Sequence, residues 1–108
     1  MGGHSRTKGR KGEAEVAKLW KEGGHVVRNL EGVGDHLVMA SAHEIHRPGT
    51  TWTFHEEVKR QERPRVNEWW KQAIAEAPPG TIALVTFRPS YAPWLSMLAT
   101  TDLIRLVS

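Results

Sequence analysis

Apolar residues recur along this chain with two different periods, and the changes from one to the other divide it into elements. Residues 9–22 predict a helix. Ala14, Glu15, Ala17, Lys18 and Leu19 favour one, and Gly23-Gly24 stop it. Its apolar stripe reads Val16, Ala17, Leu19, Trp20. Glu13 falls on the same stripe, because 13, 16, 17 and 20 follow the i, i+3, i+4, i+7 rule, while Glu15 lies with Lys18 and Glu22 on the polar face. A carboxylate at the end of an apolar stripe points toward whatever the helix covers. It is equally what the N-terminal turn of a helix favours electrostatically. Residues 25–29 then read as a short strand, and 30–34 as a Gly-punctuated turn. Asp35 opens a second strand over 36–40, on the face of Leu37 and Met39, although an Asp after Gly is also a common turn residue.

Residues 41–50 are polar and contain Pro48-Gly49, which predicts a loop or hairpin turn. Within it, His43-Glu-Ile-His46 spaces its histidines at i, i+3, whereas the helical zinc motif needs i, i+4. Surface histidines are the expectation there. Residues 51–59 are β-branched and aromatic at the start and predict a strand. Alternation puts His55, Glu57 and Lys59 on one face, and Trp52, Phe54 and Val58 on the other. Pro64 suits the start of a helix. The helix's stripe is Val66, Trp69, Trp70, Ala73, Ile74, Ala77, with Trp69 or Trp70 in the core, and Pro78-Pro79-Gly80 ends it. Residues 81–87 are apolar on both faces, as in a covered central strand. Residues 94–98 predict a last strand, and 103–107 a short helix behind Thr101-Asp102. The order implies an α/β fold with a mixed β-sheet flanked by helices.

Length and charge sharpen this picture. The chain has 108 residues, which suits one domain with one core, here 9–108 behind a flexible basic N-terminus over 1–8. No apolar run approaches the ~20 residues of a membrane span, and the N-terminus lacks a signal-peptide core. With no cysteine, disulfides and thiolate metal sites are excluded, and a cytoplasmic location is expected. The net charge is only +3, but basic residues gather over 6–11 and 59–65. Basic patches flanking acidic residues suit a protein that handles nucleic acid.

Glu57 and Lys59 carry the candidate chemistry. A carboxylate can hold a hard divalent cation, and an ammonium beside it can orient a water and balance charge on a phosphate. Such a pair is also common on solvent-facing strands, where it contributes little. Neighbouring strands lie ~4.8 Å apart, so Asp35 and Glu57 at matching heights could share an ion, with Glu13 reaching in from the helix.

In order and spacing these pieces resemble the PD-(D/E)XK nucleases, and more closely the small Holliday junction resolvases of archaea and phages. The resemblance covers most of the chain. Lys8-Gly9 followed by Glu13-Ala-Glu-Val-Ala-Lys-Leu-Trp, then Gly24-His-Val-Val-Arg28, is similar to that family's opening. Asp35 takes the place of its motif aspartate, Glu57-Val58-Lys59 that of its Glu-x-Lys, and Arg60-Gln61-Glu62 with Trp69-Trp70-Lys71-Gln72 resembles the phage branch. Gly34, His36 and Glu56 depart from the pattern, Glu56 standing where an apolar residue is usual. Strand alternation nevertheless favours Glu57 over Glu56 as ligand, because Glu57 shares a face with Lys59.

The resemblance implies a restriction-endonuclease-like core and a homodimer that nicks opposing strands of four-way DNA junctions. It implies Mg²⁺ or Mn²⁺ held by Asp35, Glu57 and the Val58 carbonyl, with Glu13 completing the site and Lys59 positioning the attacking hydroxide. Arg6, Lys8, Arg10, Lys11, Arg28, Arg60, Arg63 and Gln72 would contact DNA, and phosphate contacts of this kind position without reading sequence. A flap or other branched-DNA nuclease would share this site, and a non-catalytic DNA-binding module is the alternative of a different class.

Overall fold

The computed structural model describes residues 2–30, 41–59 and 65–108, with side chains over 12–30, 42–59 and 65–108. The elements are α1 (Gly2–Glu22), β1 (Val26–Asn29), β2 (Ser41–His46), β3 (Thr53–Lys59), α2 (Val66–Glu76), β4 (Ile82–Phe87), β5 (Leu95–Met97) and α3 (Thr100–Val107). They form an α/β fold around one mixed five-stranded sheet in the order β1-β2-β3-β4-β5. β1, β2 and β3 pair antiparallel, and so do β4 and β5. β3 and β4 run parallel, which requires a crossover, and α2 supplies it.

The two long helices cover opposite faces. α1 lies on the face that carries Phe54, Glu56 and Val58: Trp20 stacks on Phe54 at 5.8 Å and donates to Glu56. α2 lies on the other face, where Trp69 and Ala73 pack with Ala83 and Val85 into a core cluster, joined by the half-buried Phe87 and Met97. With both faces covered, β4 is buried along most of its length.

Most boundaries fall near their sequence expectations, and three points differ. α1 begins at Gly2, so its backbone includes 2–8. Leu19, expected on the buried stripe, is 53% exposed, and so is Ile74 of α2 at 52%. Both lie at the margin of a stripe whose centre, Val16 in α1 and Ala73 in α2, is buried. The segment 41–50, expected as a loop, contains β2. Its turn is the short piece after it, where Thr50 N–H bonds Arg47 C=O and Gly49 takes φ +84, a conformation open to glycine. The strand expected over 36–40 and Asp35 lie outside the described residues.

α3 has no buried residue, yet it is tied down. The Arg105 guanidinium sits 4.9 Å from the Trp52 ring centroid, just before β3. The loop before β5 is held to α1, since Trp94 Nε1 donates to Glu15 at 3.2 Å and Arg88 lies 3.7 Å from the same carboxylate.

Candidate metal centre

β3 carries two adjacent buried carboxylates, and alternation sends them to opposite faces. Glu56 and Glu57 are both 0% exposed. Their surroundings are different.

Glu56 faces α1 and is fully engaged. Its Oε2 accepts from Trp20 Nε1 at 2.9 Å and from Thr86 Oγ1 at 2.7 Å, and its Oε1 lies 3.2 Å from His43 Nδ1. Ser96 Oγ, 2.9 Å from Thr86 Oγ1, extends the network. His43 Nε2 reaches Glu13 Oε1 at 3.1 Å, so the ring lies between two carboxylates. Burial disfavours its charge, but Glu13 and Glu56 outweigh burial and push its pKa up to about 9. His43 is therefore a buried cation at neutral pH, and it fastens α1 to β2 and β3. The histidine expected on the surface is 2% exposed, because polar β2 buries its His43 and Ile45 positions under α1.

Glu57 faces α2 and keeps a free oxygen. His55 Nε2 lies 2.9 Å from Glu57 Oε1, while Oε2 is buried without a hydrogen-bond partner among the described residues. Two residues on, Lys59 Nζ donates to Gln72 Oε1 at 2.8 Å, and Gln72 Nε2 donates to Glu76 Oε1 at 3.2 Å. A polar line thus runs from His55 through Glu57, Glu76 and Gln72 to Lys59 along the seam between β3 and α2. Burial alone would raise the Glu57 carboxyl, but His55, Glu76 and Lys59 hold it below the usual range. Glu76 moves the other way: its contact with Glu57, then burial, raise it. A proton or a cation between the two carboxylates relieves their repulsion.

His55, Glu57 and Glu76 each offer a donor atom, and these atoms lie within 4.8 Å of one another. With an imidazole, two carboxylates and one buried oxygen that lacks a donor, this set fits a divalent cation.

Glu57 and Lys59 come together on one face as alternation requires. Glu13 does not join them, because it lies under α1 on the opposite face, against His43. Val58 is in register with Ser41 and Thr86, and its side chain is buried on the α1 face. Arg28 is exposed at the sheet edge, in one row with Glu44 and His55 on the Glu57 face. Gln72 is engaged with Lys59 and Glu76. Asp35, Arg60 and Arg63 lie outside the described residues, as do the side chains of Arg6, Lys8, Arg10 and Lys11.

Comparison with known families gives one match. The model of a family described as "Phage putative PDDEXK endonuclease" matches residues 4–108. The chain belongs to this family. No curated protein and no solved structure gives a significant match. Sequence reading singled out Glu57 and Lys59, while His55 and Glu76 are additions that it did not assign to the site. A signal for each was present. His55 alternates onto the Glu57 face, and Glu76 follows Trp69 and Ala73 on the buried stripe of α2, at i, i+4, i+7.

Proposed function

We propose that this protein is a metal-dependent endodeoxyribonuclease that resolves four-way DNA junctions by paired phosphodiester hydrolysis. One observation carries the reading: in a chain of a PDDEXK endonuclease family, Glu57 is buried with a bare oxygen on the same strand face as Lys59. A buried carboxylate lacking a donor is costly in a purely structural protein and useful in one that holds a cation.

In this reading Glu57, with Asp35 and the Val58 carbonyl as further ligands, holds Mg²⁺ or Mn²⁺. The ion supplies charge that stabilises the scissile phosphate and the leaving oxygen. Lys59 positions the attacking water beside Glu57, and Gln72 keeps its ammonium in place across the seam. Glu13 acts from the far side of β3, through His43 and the backbone it orders, rather than by contact with Glu57. Arg6, Lys8, Arg10, Lys11, Arg28, Arg60 and Arg63 grip phosphates, which gives affinity without sequence. A homodimer would offer two such sites to the two equivalent strands of a junction. The exposed apolar residues Leu103, Ile104 and Val107 of α3 suit that association.

The test is incubation with labelled four-way junction, flap and linear duplex, with Mg²⁺ and with EDTA. Paired nicks near the branch point, abolished by EDTA, are expected. Cutting confined to a single-stranded flap would transfer the same chemistry to a flap nuclease, and binding without cleavage under any divalent ion would make the chain a DNA-binding module.

A further inference from the structure

The strand face beneath α2 carries more ligand chemistry than a Glu-x-Lys pair requires. His55 Nε2 stands 2.9 Å from Glu57 Oε1. Adjacent donors held at about 2.1 Å from one ion in an octahedral arrangement stand about 3 Å apart, so this pair is already spaced as neighbouring ligands. Glu76 brings a second carboxylate from α2, with a donor atom within 4.8 Å of the other two. Among the described residues, Glu57 Oε2 is buried with no hydrogen-bond donor, and His55 Nδ1 is likewise buried without a partner. Glu76 is exposed, so the cluster has a side open to solvent through which an ion can enter.

We infer that His55, Glu57 and Glu76 form a three-ligand site selective for a first-row transition-metal ion over Mg²⁺. This rests on the nuclease reading and deepens it: the cation at Glu57 gains a nitrogen ligand and a helix carboxylate, and with them a preference. Mg²⁺ favours oxygen donors in a near-ideal octahedron and gives up its waters reluctantly. An imidazole donor favours the transition metals, which accept nitrogen and oxygen together. The bare Glu57 oxygen then has its partner, and the Glu57–Glu76 repulsion is offset without a shared proton.

The experiment uses Mn²⁺ as the probe, on the full chain without DNA. Free Mn²⁺ is followed by its electron paramagnetic resonance spectrum, and nitrogen ligation by ¹⁴N modulation in pulsed spectra. Wild type should bind Mn²⁺ about tenfold or more tightly than Mg²⁺ in competition, with ¹⁴N coupling visible. His55→Gln should abolish the coupling and weaken Mn²⁺ binding by about tenfold or more, Glu76→Gln should weaken binding but retain the coupling, and His46→Gln should change neither. Circular dichroism checks that the variants fold, and if His55→Gln does not, the wild-type spectrum decides alone. Mn²⁺ bound without ¹⁴N coupling, no preference over Mg²⁺, or no binding at all would overturn the inference and leave a shared proton between Glu57 and Glu76. Junction cleavage in Mg²⁺ with no nitrogen-coupled site overturns this inference alone. Nitrogen-coupled binding with no cleavage under any ion upholds it and defeats the nuclease reading instead.

Discussion

Glu56 and Glu57 are chemically identical neighbours in opposite surroundings, and their hydrogen bonds divide them. Glu56 accepts from Trp20 and Thr86 and faces the His43 ring, so both of its oxygens are already engaged. Glu57 keeps Oε2 open. Lys59 is placed by Gln72 rather than by the proposed metal ligands, so Lys59→Ala should be inactive even at saturating Mg²⁺, while divalent-ion affinity stays near wild type. Rescue of that variant by metal alone would remove Lys59 from the nucleophile's side. His43 makes a prediction about stability. Its pKa is raised from 6.5 to about 9, so its contribution is fully present below pH 6.5 and is lost as pH rises through about 9. The shift corresponds to roughly 3 kcal/mol. Urea unfolding should therefore show stability falling between pH 6.5 and 9, and His43→Gln should be less stable by about 3–5 kcal/mol at pH 6.5 and lack that slope. A wild-type stability flat across that range would contradict the cationic His43.

At the level of elements, α2 bridges the parallel β3 and β4, and it brings Gln72 and Glu76 to the candidate site. Trp69, 4% exposed, anchors it. Trp69→Ala should cost about 3–5 kcal/mol, read by thermal or urea unfolding, and should loosen the site as well as the core. A loss below about 1 kcal/mol would mean that α2 is held by something other than this cluster. How much could be read from the sequence follows from burial. α2 and β4 have apolar residues where their periods require them, so both were readable, as was the shared face of His55, Glu57 and Lys59. β2 was not, because Ser41, His43, Glu44 and His46 have a loop's composition. Only the carboxylates of Glu13 and Glu56 make burial of His43 affordable, and they lie 30 and 13 residues away in the chain. Glu13 was correctly placed on the buried stripe of α1, but which sheet face α1 covers depends on packing, and that separates Glu13 from Glu57.

At the scale of the whole molecule, the proposed four-way junction offers two equivalent strands to one seam per chain. If two copies associate, each contributes one Glu57–Lys59 seam and one set of basic residues, and selectivity comes from the geometry of the arms rather than from base contacts. Linear duplex satisfies one half only, so it should bind more weakly than a four-way junction at every salt concentration. Light scattering at micromolar concentration should give the mass of a dimer, and a strictly monomeric mass with junction cleavage retained would remove the second copy from the account. The most direct measurement compares wild type with Glu57→Gln on a labelled four-way junction, scoring cleavage and binding on the same samples. The account predicts cleavage lowered by more than about a hundredfold, with junction binding unchanged or tighter, because removing this carboxylate removes a metal ligand and some repulsion of phosphate. Cleavage by Glu57→Gln at the wild-type rate would contradict it.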